Sequence, residues 1–237
     1  MQVNRKNIIK SIQESTSRSL AEKKSHYFNK GINFIINNPL PKNVDINKVM
    51  SLLKKNLPTD CYKGINNVYI GQFDKLKKRD LTAMLYNNNL YVDNNVESEK
   101  DLIDDLVHEF AHSYEENNSE AIYEDGKIIN EFLGKRNRLH DLLVQENIPD
   151  LNYFDFLNLE HDKQFDDFLY KTVGYQLIRN VAPTLFIRPY AATSLREYFA
   201  TGFEDYYLTG GEELKNISPI LYEKISSIEK SEKFKFM

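Results

Sequence analysis

Residues 99–116 read EKDLIDDLVHEFAHSYEE, and this stretch decides which fold we expect. Its apolar residues recur as neighbouring pairs every four positions, a spacing that places them on one face of a helix. They are Leu102, Ile103, Leu106, Val107, Phe110 and Ala111. Ser98 precedes them as a predicted N-cap, because a serine oxygen can accept a hydrogen bond from the first turn of a helix. The stretch therefore predicts an amphipathic helix with a buried apolar face.

His108 and His112 lie four residues apart in this helix. That spacing puts both imidazoles on one face, one turn apart, where they can hold a single Zn²⁺. Glu109 is the next residue round the helix and can take a proton from a water molecule held by the metal. The pattern His-Glu-x-x-His also occurs by chance, so it is the apolar helix around it that favours a zinc site.

A third protein ligand is expected, because catalytic zinc usually takes three ligands and a water molecule. The residues directly after His112, Ser-Tyr-Glu-Glu-Asn-Asn, exclude the extended three-histidine motif of the metzincins. Glu197 is the best candidate, because a carboxylate in the aromatic segment 195–203 needs a cation if it is buried. The alternatives that stay open are Glu204 and three residues that also fit a solvent-exposed acidic run, Glu115, Glu116 and Glu120.

Two segments together resemble a known family. HEFAH at residues 108–112 and YAATSLREYFA at residues 190–200 resemble the catalytic domain of anthrax lethal factor and the related Pro-Pro endopeptidases, which are gluzincins. In that family a HEFGH-type helix supplies two histidine ligands and the general base. A later helix supplies a glutamate ligand, and a tyrosine seven residues before that glutamate points at the zinc.

The resemblance implies a role for each matching residue. His108, His112 and Glu197 would be the zinc ligands, and Glu109 would be the general base. Tyr190 lies seven residues before Glu197 and would donate a hydrogen bond to the oxyanion of the tetrahedral intermediate.

The chain also departs from the family pattern. Ala111 stands where the family has glycine, and Thr201 stands where it often has a second acid. The group that orients a ligand histidine must then come from elsewhere, and Glu204 and Asp205 are the candidates. The separation between the two motifs is longer than in lethal factor, which implies a helical insertion around residues 120–185.

The whole sequence predicts an α+β, zincin-like fold that is mostly helical, with a small mixed β-sheet before the histidine helix. The predicted helices are 2–36, 45–56, 99–116, 120–146, 163–180, 193–208 and 217–229. Strands are predicted at 67–73 and, in two pieces, at 81–93, with an extended stretch at 184–188. We expect a helical N-terminal segment, residues 1–58, packed on a metallopeptidase domain of residues 59–237. Substrate would lie along an edge strand at about residues 85–93.

Composition narrows the possible partners and surroundings. A formal net charge of −4 argues against a nucleic-acid-binding protein, which needs a concentrated basic face. Cys61 is the single cysteine, so an internal disulfide is excluded. The sequence shows no signal peptide and no apolar run long enough to span a membrane. We therefore expect a soluble protein, either cytoplasmic or delivered by a non-classical route as an effector, toxin or virion-associated protein. Nothing indicates its oligomeric state.

These observations predict a Zn²⁺-dependent metalloendopeptidase that acts on a protein or peptide substrate. The alternative is a catalytically inactive zincin-like protein that serves as a binding or structural module. Thr201 and the insertion favour the alternative, whereas the intact His108, Glu109 and His112 favour the enzyme.

Overall fold

A computed structural model describes residues 24–29, 31–78 and 81–235 of the chain. These residues confirm the α+β class, because they are mostly helical and contain a small mixed sheet. The zincin-like fold itself stays a prediction. The chain divides into two compact units. The first holds the described residues up to Leu53 together with Gly64–Glu109, and the second holds Lys54–Lys63 and the described residues from Phe110 onward.

The sheet of the first unit has five strands among the described residues. They are β1 (Lys24–Asn29), β2 (Ile32–Ile36), β3 (Asn67–Ile70), β4 (Ala83–Tyr86) and β5 (Asn89–Val92). Their spatial order is β1-β2-β3-β5-β4. The three inner strands are parallel, and the two outer strands pair antiparallel to their neighbours.

Alternation of side chains explains why these segments are strands. Phe34, Val68, Ile70, Leu90 and Val92 are all fully buried and lie on one face of the sheet. The residues between them are half-buried, so the opposite face is more open to solvent. One buried face is what fixes the register of such a sheet.

The helix predicted over residues 2–36 is wrong for residues 24–29 and 32–36, which form β1 and β2. Residues 2–23 of that prediction lie outside the described residues. In β2, Ile32, Phe34 and Ile36 are buried while the residues between them are half-buried, which is a two-residue period. The sheet therefore combines strands from both sides of residue 58, and the segment before that residue is not wholly helical.

The two predicted strand pieces at 81–93 are confirmed as β4 and β5. Asn87 and Asn88 join them with φ angles of 49° and 59°. Asparagine tolerates this left-handed region better than most residues, and such turns suit tight hairpins. The turn folds β4 back outside β5, so β4 forms one edge of the described sheet and β1 forms the other. The expectation of an edge strand along residues 85–93 is thus wrong for β5, which lies between two strands.

Helices make up most of the remaining described structure. They are α1 (Ile46–Asn56), α2 (Asp74–Lys77), α3 (Glu99–Tyr123), α4 (Lys127–Gln145), α5 (Lys163–Asp167), α6 (Tyr175–Val181), α7 (Leu195–Thr209), α8 (Glu212–Ile217) and α9 (Pro219–Lys235). Short 3₁₀ turns occur at Thr59–Tyr62, Tyr153–Leu157 and Pro189–Ala192, and a π-helical turn at Phe168–Val173. None of the helices in the described ranges is long and apolar enough to cross a membrane.

Most of the other predicted helices exist, although α3 continues to Tyr123, beyond the end predicted at residue 116 and into the helix predicted from residue 120. The single helix predicted at 163–180 is broken, because Gly174 adopts a φ of 82° between the π-helical turn and α6. The stretch 184–188 forms a turn and a bend instead of extended chain. The predicted cap is confirmed, since Asp101 N donates to Ser98 Oγ at 3.2 Å at the start of α3.

A glycine allows close packing behind α7. A Cβ at Gly202 would lie 2.5 Å from Leu221 Cδ2, closer than real side chains approach. Gly202 therefore lets α9 pack directly against α7, the helix that carries Glu197.

Candidate metal centre

The structure brings three of the predicted side chains together. His108, His112 and Glu197 each offer one ligand atom, and these atoms lie within 4.8 Å of one another. The two histidines occupy successive turns of α3, and Glu197 lies in the first turn of α7. His112 and Glu197 are buried, and His108 is half-buried. The group contains none of the four alternative glutamates.

The spacing and the donor types fit zinc. His112 Nε2 lies 3.4 Å from Glu197 Oε1. Two atoms bound at zinc distances to one tetrahedral ion are about 3.4 Å apart. Two imidazole nitrogens and one carboxylate oxygen are a known donor set of catalytic zinc, which leaves the fourth position for water. The side chains present could therefore hold Zn²⁺ without a large rearrangement.

Glu197 is held where it is by the start of α7. Ser194 caps the helix by accepting from Glu197 N at 3.2 Å. Leu195 N donates to Leu159 O at 2.9 Å, which ties this turn to the preceding segment. Glu197 itself is only 8% exposed, and its neighbours Tyr198 and Phe199 are buried. A buried carboxylate among aromatic rings is costly unless a cation or donors compensate it, which supports a ligand role.

Glu109 directly follows His108 in the chain, and Tyr190 lies seven residues before Glu197. Glu109 follows His108 on α3 and is half-buried. Tyr190 lies in the 3₁₀ turn before α7, where Thr193 N and Thr193 Oγ1 donate to its carbonyl oxygen at 3.0 and 2.8 Å. Their roles as base and oxyanion partner stay predictions.

Tyr175 is a half-buried tyrosine at the start of α6. Burial, followed by the charge of Asp166 and the hydrogen bond to it, raises the pKa of the Tyr175 hydroxyl, and Tyr190 and Glu197 add smaller contributions. Tyr175 also donates to Asp166 Oδ1 at 3.2 Å. Sequence reasoning missed Tyr175, since no spacing relates it to the histidine motif.

Nδ1 is the ring nitrogen of His112 that does not face Glu197, and charged groups lie beside it. Arg196 Nε donates to His112 Nδ1 at 3.1 Å, and Glu115 Oε2 lies 3.9 Å from the same nitrogen. Glu115 is buried, so the expectation of a solvent-exposed acidic run is wrong for it, whereas Glu116 and Glu120 are exposed. A local signal was available, because residues three apart on a helix share a face.

The two acids predicted to orient a ligand histidine have other partners. Asp205 accepts from Leu214 N at 3.1 Å and from Thr209 Oγ1 at 2.8 Å, so it supports the start of α8. The expectation for Asp205 is therefore wrong. Glu204 is 2% exposed and lies 3.3 Å from Arg188 Nη1. For Glu204 the orienting role stays a prediction.

No protein-family model, curated protein or solved structure matches the chain. The resemblance to the lethal factor group thus stays a prediction from two short motifs. The geometry of His108, His112 and Glu197 is what carries the functional argument.

Proposed function

We propose that this chain is a zinc-dependent metalloendopeptidase of the glutamate-ligand type. The observation that supports it most is the convergence of His108, His112 and Glu197. Glu197 comes from a different helix and lies at least 85 positions after the two histidines in the chain. A chance His-Glu-x-x-His helix would have no reason to face a buried carboxylate.

The proposed chemistry assigns one task to each side chain. His108, His112 and Glu197 hold the metal, which when bound acts as a Lewis acid toward the scissile carbonyl and the attacking water. Glu109 accepts the proton of the water at its carboxylate and passes it to the leaving amine. Tyr190 donates its hydroxyl proton in a hydrogen bond to the oxyanion of the tetrahedral intermediate.

The proposed substrate is a protein or peptide in extended conformation. β4, which together with β5 precedes α3 in the chain, is one of the two edge strands of the described sheet and pairs with β5 on one side only. A peptide can add to such an edge through main-chain hydrogen bonds.

Cleavage profiling tests this proposal. A denatured proteome is incubated with the zinc-loaded protein and with Glu109→Gln, and new peptide termini are compared by mass spectrometry. The substitution keeps the size of the side chain but removes the base, so we expect cleavage to fall about 10²- to 10⁴-fold while zinc remains bound. Glu116→Gln, an exposed neighbour on the same helix, is the matched control and should cleave normally.

The outcomes separate the enzyme from the binding module. If the wild-type protein holds zinc but generates no termini beyond those of Glu109→Gln, the peptidase proposal is wrong. The inactive zincin-like module then becomes the better account.

A further inference from the structure

A small polar cluster surrounds Nδ1 of His112. Arg196 Nε donates to His112 Nδ1 at 3.1 Å, and Glu115 Oε2 lies 3.9 Å from the same nitrogen. Arg196 Nε and Glu115 Oε2 lie 3.8 Å apart. Tyr123 OH donates to the other carboxylate oxygen of Glu115 at 2.5 Å. Glu115 and His112 are buried, whereas Arg196 is exposed on one side.

The choice of Nε2 as the metal-binding nitrogen of His112 determines that Nδ1 carries the ring proton and needs a hydrogen-bond acceptor. Nε2 is the atom that faces Glu197, so Nε2 is the atom that would bind the metal. A neutral imidazole bound through Nε2 carries its proton on Nδ1, and that N–H usually donates to a carboxylate or carbonyl. Arg196 donates to Nδ1 in this structure, but it cannot accept a proton carried on Nδ1, because a guanidinium has donors only. Glu115 is the carboxylate that faces Nδ1.

We propose that Glu115 is a positioning residue that accepts the Nδ1 proton of His112 and so fixes the orientation of this zinc ligand. The inference rests on the proposed zinc site and identifies an orienting acid other than Glu204 and Asp205, the two candidates that the sequence suggested. Nδ1 and Glu115 Oε2 lie 3.9 Å apart, so a movement of about 1 Å brings Oε2 to hydrogen-bond distance while Oε1 stays bonded to Tyr123.

Tyr123 and Arg196 hold the carboxylate of Glu115 from two sides. A protonated Nδ1 cannot accept from Arg196, so Arg196 Nε then has Glu115 Oε2 as its nearby partner. Burial, together with the charge of Glu115, raises the pKa of Tyr123, which keeps its hydroxyl protonated and donating. The carboxylate is therefore anchored at one oxygen and steered by a cation at the other.

A kink in α3 lies between Glu115 and Tyr123. Residues eight apart on a straight helix are separated by about 12 Å along its axis, so both side chains would have to extend almost fully toward each other to share a hydrogen bond. The helix is interrupted at Asn118, where φ is −132° and ψ is 17°. Asn118 Nδ2 donates to Tyr114 O at 2.8 Å, which satisfies a carbonyl near the kink. The kink redirects the last turn so that Tyr123 reaches back to Glu115.

Zinc affinity tests the role of Glu115. The affinities of wild type, Glu115→Gln and Glu116→Gln are measured by competition with a chromophoric chelator. We expect Glu115→Gln to bind zinc about 10- to 100-fold more weakly, which is the usual cost of losing an orienting partner. Glu116→Gln places the same substitution on an exposed position one residue away and should bind like wild type.

A second readout distinguishes positioning from general destabilisation. In the zinc-loaded protein with ¹⁵N-labelled histidine, the Nδ1 proton of His112 should appear as a hydrogen-bonded, slowly exchanging resonance. Glu115→Gln should move that resonance upfield and speed its exchange, while the resonances of His108 stay in place. Tyr123→Phe keeps the carboxylate and removes one anchor, so it should shift the same resonance by less.

Equal zinc affinity in Glu115→Gln and wild type, with an unchanged His112 resonance, would overturn the inference and leave the zinc site itself intact. If Glu115→Gln fails to fold, Tyr123→Phe decides, and an unchanged His112 resonance in that variant counts against the inference. Failure of the proposed function would look different, because it concerns cleavage by the wild-type protein.

Discussion

Arg136 offers the sharpest test of how the second unit is held together. This arginine of α4 is fully buried, and its guanidinium donates to Asn158 O at 2.6 Å and to Asp155 O. It also lies 4.4 Å from the centre of the Phe165 ring. Two carbonyl groups of the segment after α4 thus depend on one side chain. That segment continues to Leu159, whose carbonyl accepts from the first turn of α7.

The cost of replacing Arg136 by methionine follows from these contacts. Methionine fills much of the volume but donates nothing, so two hydrogen bonds from a charged donor are lost at about 1.5–3 kcal/mol each. Burying the charged guanidinium has its own cost, which lowers the pKa of Arg136 to about 10 and offsets part of what the hydrogen bonds contribute. The net loss of stability should therefore lie near the lower end of the summed range, at about 3–4 kcal/mol. That corresponds to a melting temperature lower by about 10 °C.

Thermal unfolding followed by circular dichroism measures the effect. Arg138→Met is the control, because Arg138 is exposed on the same helix and its replacement should change the stability by less than about 0.5 kcal/mol. If Arg136→Met has the same melting temperature as Arg138→Met, the segment after α4 does not depend on the buried guanidinium, and the reasoning is refuted.

Three further changes test other parts of the structure. The hydrogen bond and ion pair with Lys48, together with a backbone hydrogen bond from Asp45, lower the pKa of Glu99. The contribution of Glu99 to the stability of the fold is therefore present above its unfolded pKa and is lost as pH falls through its folded pKa. Glu99→Gln should therefore flatten the acid limb of a stability-versus-pH curve, and an unaltered limb would contradict this. Gly202→Val should lower the melting temperature by several degrees through contact with Leu221, as calorimetry would show. Thr201→Val should be neutral or stabilising by up to about 1 kcal/mol in urea unfolding, because the buried Thr201 hydroxyl has no hydrogen-bond partner among the described residues; a clear destabilisation would show that the hydroxyl is used.

Local sequence patterns were enough to predict much of the fold. The apolar pairs of residues 99–116 and the serine before them predicted α3 and its cap, and the two strand pieces predicted within residues 81–93 are β4 and β5. β2 could not be predicted in this way. Its Ile32 and Ile35 fit a helical spacing with Phe28, while Ile32, Phe34 and Ile36 fit a strand. Pairing with β3, more than thirty residues later, settles the choice, and no local pattern contains that contact.

The same division applies to the candidate site. His108, His112 and Glu197 could be proposed because their residue types and surroundings are unusual, and the structure places them together. The arrangement around His112 Nδ1 depends on Arg196, which is 84 residues away in the chain. That contact depends on how α7 packs in the second unit, which no local sequence pattern contains. For this reason Glu115, which lies beside Arg196, could not be told from an exposed acidic residue by sequence alone.

Zinc content of the purified protein tests the central claim most directly. The protein is loaded with zinc, dialysed against metal-free buffer and measured by mass spectrometry of the metal, alongside Glu197→Ala and the exposed control Glu213→Ala. We expect one zinc per chain in wild type and in the control, and a sharp loss in Glu197→Ala, because two histidines alone hold zinc weakly. A wild-type protein without zinc, or a Glu197→Ala protein that retains one zinc per chain, would contradict the account.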